Sequence, residues 1–79
     1  MDQFLLITPE GWIELPDAQA FVDTNGEAQL IDLVQSNQMG HLDAMLETAG
    51  HVPAGKTLGE FRMFRDTGGY RIWFKLKDL

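Results

Sequence analysis

Leu58-Gly59-Glu60-Phe61-Arg62-Met63-Phe64-Arg65-Asp66-Thr67-Gly68-Gly69-Tyr70-Arg71-Ile72-Trp73-Phe74-Lys75-Leu76-Lys77 is the stretch that decides the fold. Two runs rich in aromatic and branched residues flank Asp66-Thr67-Gly68-Gly69, a turn sequence that tolerates positive φ, so the spacing predicts a hairpin. With Arg65 opposite Tyr70, the pairs Met63 with Ile72, Phe61 with Phe74 and Gly59 with Leu76 fall on one coherently apolar face. The other face pairs Phe64 with Arg71, Arg62 with Trp73 and Glu60 with Lys75, matching opposite charges and setting cations beside rings.

Upstream of the hairpin the pattern changes to helical spacing. Met39, Leu42, Met45, Leu46 and Ala49 form an apolar stripe; Ser36 or Asn37 can cap its start, and Gly50 suits a C-terminal stop before Pro53. Thr24-Asn25-Gly26-Glu27 has capping-box spacing, and Leu30, Ile31 and Val34 recur after it, which predicts a helix near residues 26 to 36. The segment from Pro16 to Gly26 reads two ways: Asp17 can cap a helical turn over Ala18 to Val22, while Asn25-Gly26 is also a hairpin-turn dipeptide. At the N-terminal end, Phe4-Leu5-Leu6-Ile7 and Trp12-Ile13-Glu14-Leu15 flank Thr8-Pro9-Glu10-Gly11, predicting a first hairpin with Ile7 opposite Trp12. Phe4, Leu6, Ile13 and Leu15 then share one face, and Leu5, Ile7, Trp12 and Glu14 the other.

The order β-β-α-α-β-β implies an α+β fold: a four-stranded antiparallel sheet of two hairpins with two helices packed on one face. Across 79 residues this is a single domain spanning 1–79. The second sheet face collects Leu5, Ile7, Trp12, Phe64 and Trp73, rimmed by Arg62 and Arg71, more apolar surface than a monomer normally leaves in water. These seven residues are the candidate partner-binding set, for a protein partner or for self-association.

Charge is divided along the chain. Residues 1–55 hold nine Asp or Glu and no Lys or Arg, whereas residues 56–79 hold six basic and three acidic residues, for a net charge of −6. Such a chain repels nucleic acid over its first two thirds and attracts an acidic partner only through its end, and pairing of unlike ends is an equally simple use. No run is long and apolar enough to span a bilayer, so no membrane partner is expected. The absence of Cys removes disulfides, thiolate metal sites and thiol nucleophiles, which suits cytoplasmic synthesis.

Chemistry-bearing motifs are few. Gly50-His51-Val52-Pro53-Ala54-Gly55-Lys56-Thr57 satisfies the phosphate-loop pattern G-x-x-x-x-G-K-[ST], but that pattern works between a strand and a helix N-terminus, and here a helix precedes it and a strand follows. His41 and His51 lack metal-ligand spacing and read as solvated residues. No nucleophile elbow occurs, so the reading is a non-enzyme without cofactor or metal. Tyr70 to Lys77 alternates basic and aromatic residues as single-strand nucleic-acid platforms do, an alternative disfavoured by the negative net charge.

Phe4-Leu5-Leu6-Ile7-Thr8-Pro9-Glu10-Gly11-Trp12-Ile13-Glu14-Leu15 resembles compact proteins encoded among the virion-assembly genes of tailed bacteriophages. The resemblance implies a viral structural protein carried in the virion. Together with the two-sided hydrophobicity, it yields the expectation of a non-enzymatic assembly or adaptor protein acting through protein–protein contacts. An inhibitor or regulator of a host protein would present the same surface.

Overall fold

The computed structural model of the chain describes residues 11–79. The described elements are β1 (Trp12–Glu14), α1 (Ala18–Asn25), α2 (Glu27–Gln35), α3 (Met39–Thr48), β2 (Lys56–Asp66) and β3 (Gly69–Asp78). The sheet is antiparallel in the order β1-β3-β2, so β3 is central.

The C-terminal hairpin forms in the expected register from Asp66 opposite Gly69 back to Glu60 opposite Lys75. Beyond Glu60 the expected pairing of Gly59 with Leu76 is corrected, because a bulge at Gly59 sets Leu58 opposite Leu76. Strict alternation would turn Leu58 to the solvent side with Glu60, and the extra residue rephases the strand so that Leu58 is buried beside Phe61. Asp43 Oδ1 on α3 accepts the Leu58 N–H at 2.9 Å and ties the bulged end of β2 to the helical layer. At the turn, Gly69 has φ 121°, and a Cβ there would stand 2.7 Å from Gln19 Oε1, the atom that accepts the Tyr70 N–H at 3.0 Å. The last glycine of the turn sequence is therefore required by both backbone angle and close approach.

The four-stranded, two-helix expectation is overturned: the described residues form three strands and three helices. The ambiguous segment after Pro16 is a helix because Ala18, Phe21 and Val22 fall on one helical face and bury together against the sheet. Asp17 opens α1 with left-handed angles (φ 56°), its carbonyl accepting from the N–H groups of Ala20 and Phe21. Asn25-Gly26 ends α1 instead of turning a hairpin, Asn25 Nδ2 donating to the Phe21 carbonyl at 2.9 Å. The capping-box reading is corrected as well, since Thr24 lies inside α1 and Gly26 stands at the start of α2 without a side-chain cap. The expected strand at Phe4–Ile7, with its pairing of Ile7 to Trp12, lies outside the described residues. Among the described residues Trp12–Glu14 pairs with β3, Trp12 opposite Lys75 and Glu14 opposite Trp73.

Both later helices end on the same device. The Gln38 N–H donates to the Leu33 carbonyl and the Asn37 N–H to that of Val34; in α3 the His51 and Gly50 N–H groups donate to Leu46 and Glu47. Asn37 (φ 58°) and Gly50 (φ 86°) are the left-handed residues each closure demands. Ser36 and Asn37, expected to cap the start of α3, thus serve the end of α2, where Ser36 Oγ donates to the Asp32 carbonyl at 2.7 Å.

One core lies between the layers. Phe61, Ile72 and Phe74 from the sheet meet Phe21, Val22, Leu30, Leu33, Leu42 and Leu46 from the helices, and no polar residue is buried among the described residues. Leu33 joins this core where the spacing pointed to Ile31 and Val34, both only half-buried.

Candidate functional site

The inner face of the sheet is filled by the helices, so the outer face is where a second interaction can form. Alternation along β2 and β3 places Glu60, Arg62, Phe64, Arg71, Trp73 and Lys75 there, and β1 adds Trp12 and Glu14. Trp12, Arg62, Phe64 and Trp73 line one shallow hollow of about 340 Å³. Four of the seven expected site residues are thus brought together. Leu5 and Ile7 lie outside the described residues.

Cations and rings interleave in this hollow. The Arg62 guanidinium reaches from β2 across β3 to lie 5.2 Å from the Trp12 ring centroid, and Lys75 Nζ stands 5.2 Å from the same ring. Lys75 is also 4.0 Å from Glu60. Phe64 is 47% exposed, the most open large apolar residue in any described strand or helix.

Arg71 shares the face but has a different part. Its Nε donates to Glu14 Oε2 at 2.8 Å, and Nη1 lies 3.6 Å from Asp66. The Glu14 hydrogen bond raises Arg71 above its ordinary pKa, against a smaller opposing cost of desolvation. Arg71 therefore fastens β1 to β3 and to the hairpin turn. Glu14 and Lys75 complete the face; alternation already sets each on the outer side, and what the docking of β1 against β3 adds is that Trp12 stands opposite Lys75 and Glu14 beside Arg71.

A second hollow, of about 600 Å³, lies between α1 and α3. Phe21 and Met45 line it with Ala44, and His41, His51 and Asp17 stand on its walls. Helix spacing alone gives no sign of it, because it arises from the separation of two helices that pack on different strands, α1 on β3 and α3 on β2. His51 sits beyond the end of α3 and is half-buried, whereas His41 is exposed as expected. Among the described residues no three His, Asp or Glu are grouped as a metal site.

The phosphate-loop pattern falls between α3 and β2, a helix before it and a strand after. Its Gly50 and His51 N–H groups close α3, the Lys56 N–H donates to the Pro53 carbonyl at 3.2 Å, and Lys56 Nζ stands 2.6 Å from Asp78 Oδ1. Those amides and that ammonium are engaged with the protein itself, not converged on an anion.

None of the described helices is long and apolar enough to cross a membrane. Comparison with protein families, curated proteins and solved structures finds no match to this chain.

Proposed function

We propose that this chain is a non-enzymatic assembly or adaptor protein that buries the outer face of its sheet against another protein. The supporting observation is the hollow of Trp12, Arg62, Phe64 and Trp73, which no described helix covers. Half-exposed aromatic rings flanked by arginine are the residue types that anchor protein interfaces, combining large apolar area with a polar edge. The N-terminal resemblance makes a tailed-phage particle the setting of choice. The single-strand nucleic-acid alternative is less well supported, since Lys56, Arg71 and Lys75 each face a carboxylate at 4.0 Å or less.

The test compares wild type with Trp73→Ala in native mass measurement of the assemblies each recovers from the producing cell. Loss of the assembly with a retained fold is the expected result. Equal recovery by both proteins rejects the outer face as the binding surface.

A further inference from the structure

We infer that β2 pairs edge to edge with β2 of a second copy of this chain, two-fold symmetric about Phe64, forming one continuous antiparallel sheet. The inference goes beyond the outer-face reading: it adds a separate contact, at the edge of the sheet, through which a second copy extends the surface offered to a partner.

Because the sheet order is β1-β3-β2, the long strand β2 stands at an edge, and no described strand pairs with its outer side. Alternate backbone N–H and C=O groups along such an edge point outward and are satisfied by another strand or by water. At the Gly59 bulge the edge is modified, since the helical layer supplies Asp43 to the Leu58 N–H. Along the regular part, Glu60 to Asp66, no described strand takes the outer side.

Charge selects the register. A two-fold axis at Phe61 would bring the bulge of each copy into the ladder. An axis at Arg62 would set Arg62 against itself, and one at Met63 would set Glu60 against Asp66 of the second copy. The axis at Phe64 instead places Arg62 opposite Asp66 twice and Phe64 opposite Phe64, all on the outer face. The charges that would otherwise discourage edge pairing then become its cross-strand ion pairs. Arg62 leaves the half-buried Trp12 ring to make this contact, exchanging a cation–ring contact for a carboxylate. Asp66 is 40% exposed and accessible to it. Phe64, the open apolar residue of the face, becomes covered at the axis, and the two aromatic hollows join into one surface.

The chain has no cysteine, so Phe64→Cys introduces a single thiol. Opposed Cα atoms in an antiparallel pair are about 4.5 to 5.5 Å apart, inside the range of about 4.4 to 6.8 Å that a disulfide spans. Mild oxidation of purified Phe64→Cys is expected to yield a covalent dimer, with none from Asp32→Cys on α2. In sedimentation, Arg62→Asp or Asp66→Arg alone should weaken dimerisation about tenfold or more through two like-charge pairs, and the double exchange should restore most of it. Trp73→Ala, one row from the axis, should leave the dimer intact while abolishing larger assemblies, which separates failure of this proposal from failure of the outer-face reading. A purified wild type that is monomeric at every concentration overturns the inference. So does a dimer indifferent to both charge reversals, or a Phe64→Cys protein that does not cross-link.

Discussion

The two faces of the C-terminal hairpin are built from the same strands and carry similar numbers of aromatic rings, yet they differ in kind. The inner face presents Leu58, Phe61, Ile72 and Phe74, all buried, with no polar group among them. The outer face alternates Phe64 and Trp73 with Arg62, Arg71, Glu60 and Lys75, and its rings remain partly open. An apolar ring in an all-apolar layer contributes to stability through burial. A ring among charges has less burial to contribute and more to offer a partner. Aromatic content therefore does not distinguish core from interface; the company each ring keeps does.

The largest expected effect breaks the inner face. Phe74→Ala should destabilise the fold by about 3 to 5 kcal/mol in chemical denaturation, because Phe74 is 2% exposed at the centre of the sheet. Leu46→Ala, which withdraws the α3 side of the same core, should cost about 2 to 5 kcal/mol; a change under about 0.5 kcal/mol would place Leu46 on the surface and overturn the helix phase. Next in size is Trp73→Ala, the immediate sequence neighbour of Phe74 on the opposite face. It should lose only about 1 to 2 kcal/mol of stability, consistent with partial burial, while weakening partner association by about 2 kcal/mol or more. If thermal melting shows Trp73→Ala as damaging as Phe74→Ala, the distinction between the faces fails.

The smallest effect concerns the rim. Tyr70 donates its phenolic hydrogen to the Glu27 carboxylate, which holds its pKa above the ordinary 10.0. The chain has one tyrosine, so ultraviolet titration reads this group alone. Glu27→Gln should move the titration toward lower pH. A raised folded value means that the stabilisation is fully present below the unfolded pKa and is lost as pH rises through the folded one, so any stability difference between wild type and Glu27→Gln should fade in strong alkali. An unchanged titration would show that the contact from α2 to the hairpin turn is not maintained in solution.

The legible parts share a cause. The hairpin register from Glu60 to Asp66 follows from period-two alternation and a short turn, and the α3 stripe from Leu42 and Leu46 at helical spacing, so neighbours along the chain carry enough information to place both. Four members of the outer hollow were readable for the same reason, since alternation alone puts Arg62, Phe64 and Trp73 opposite the buried set, and Ile13 and Leu15 turn Trp12 outward. Pro16 to Gly26 was not decidable this way. Its Asn25-Gly26 dipeptide suits a hairpin or a helix end, and burial of Phe21 and Val22 against β3 made the choice.

By itself, then, the sequence determined an acidic α+β chain with a two-faced C-terminal hairpin and an apolar α3, because these features are written in local periodicity and composition. Only the tertiary structure decided that β1 docks on β3, that Gly59 bulges to carry Leu58 inward, that α1 and α3 separate into a groove, and that β2 stands at the edge of the described sheet. Each of these depends on which distant surfaces meet and bury most apolar area, a competition among non-local contacts that no stretch of neighbouring residues encodes.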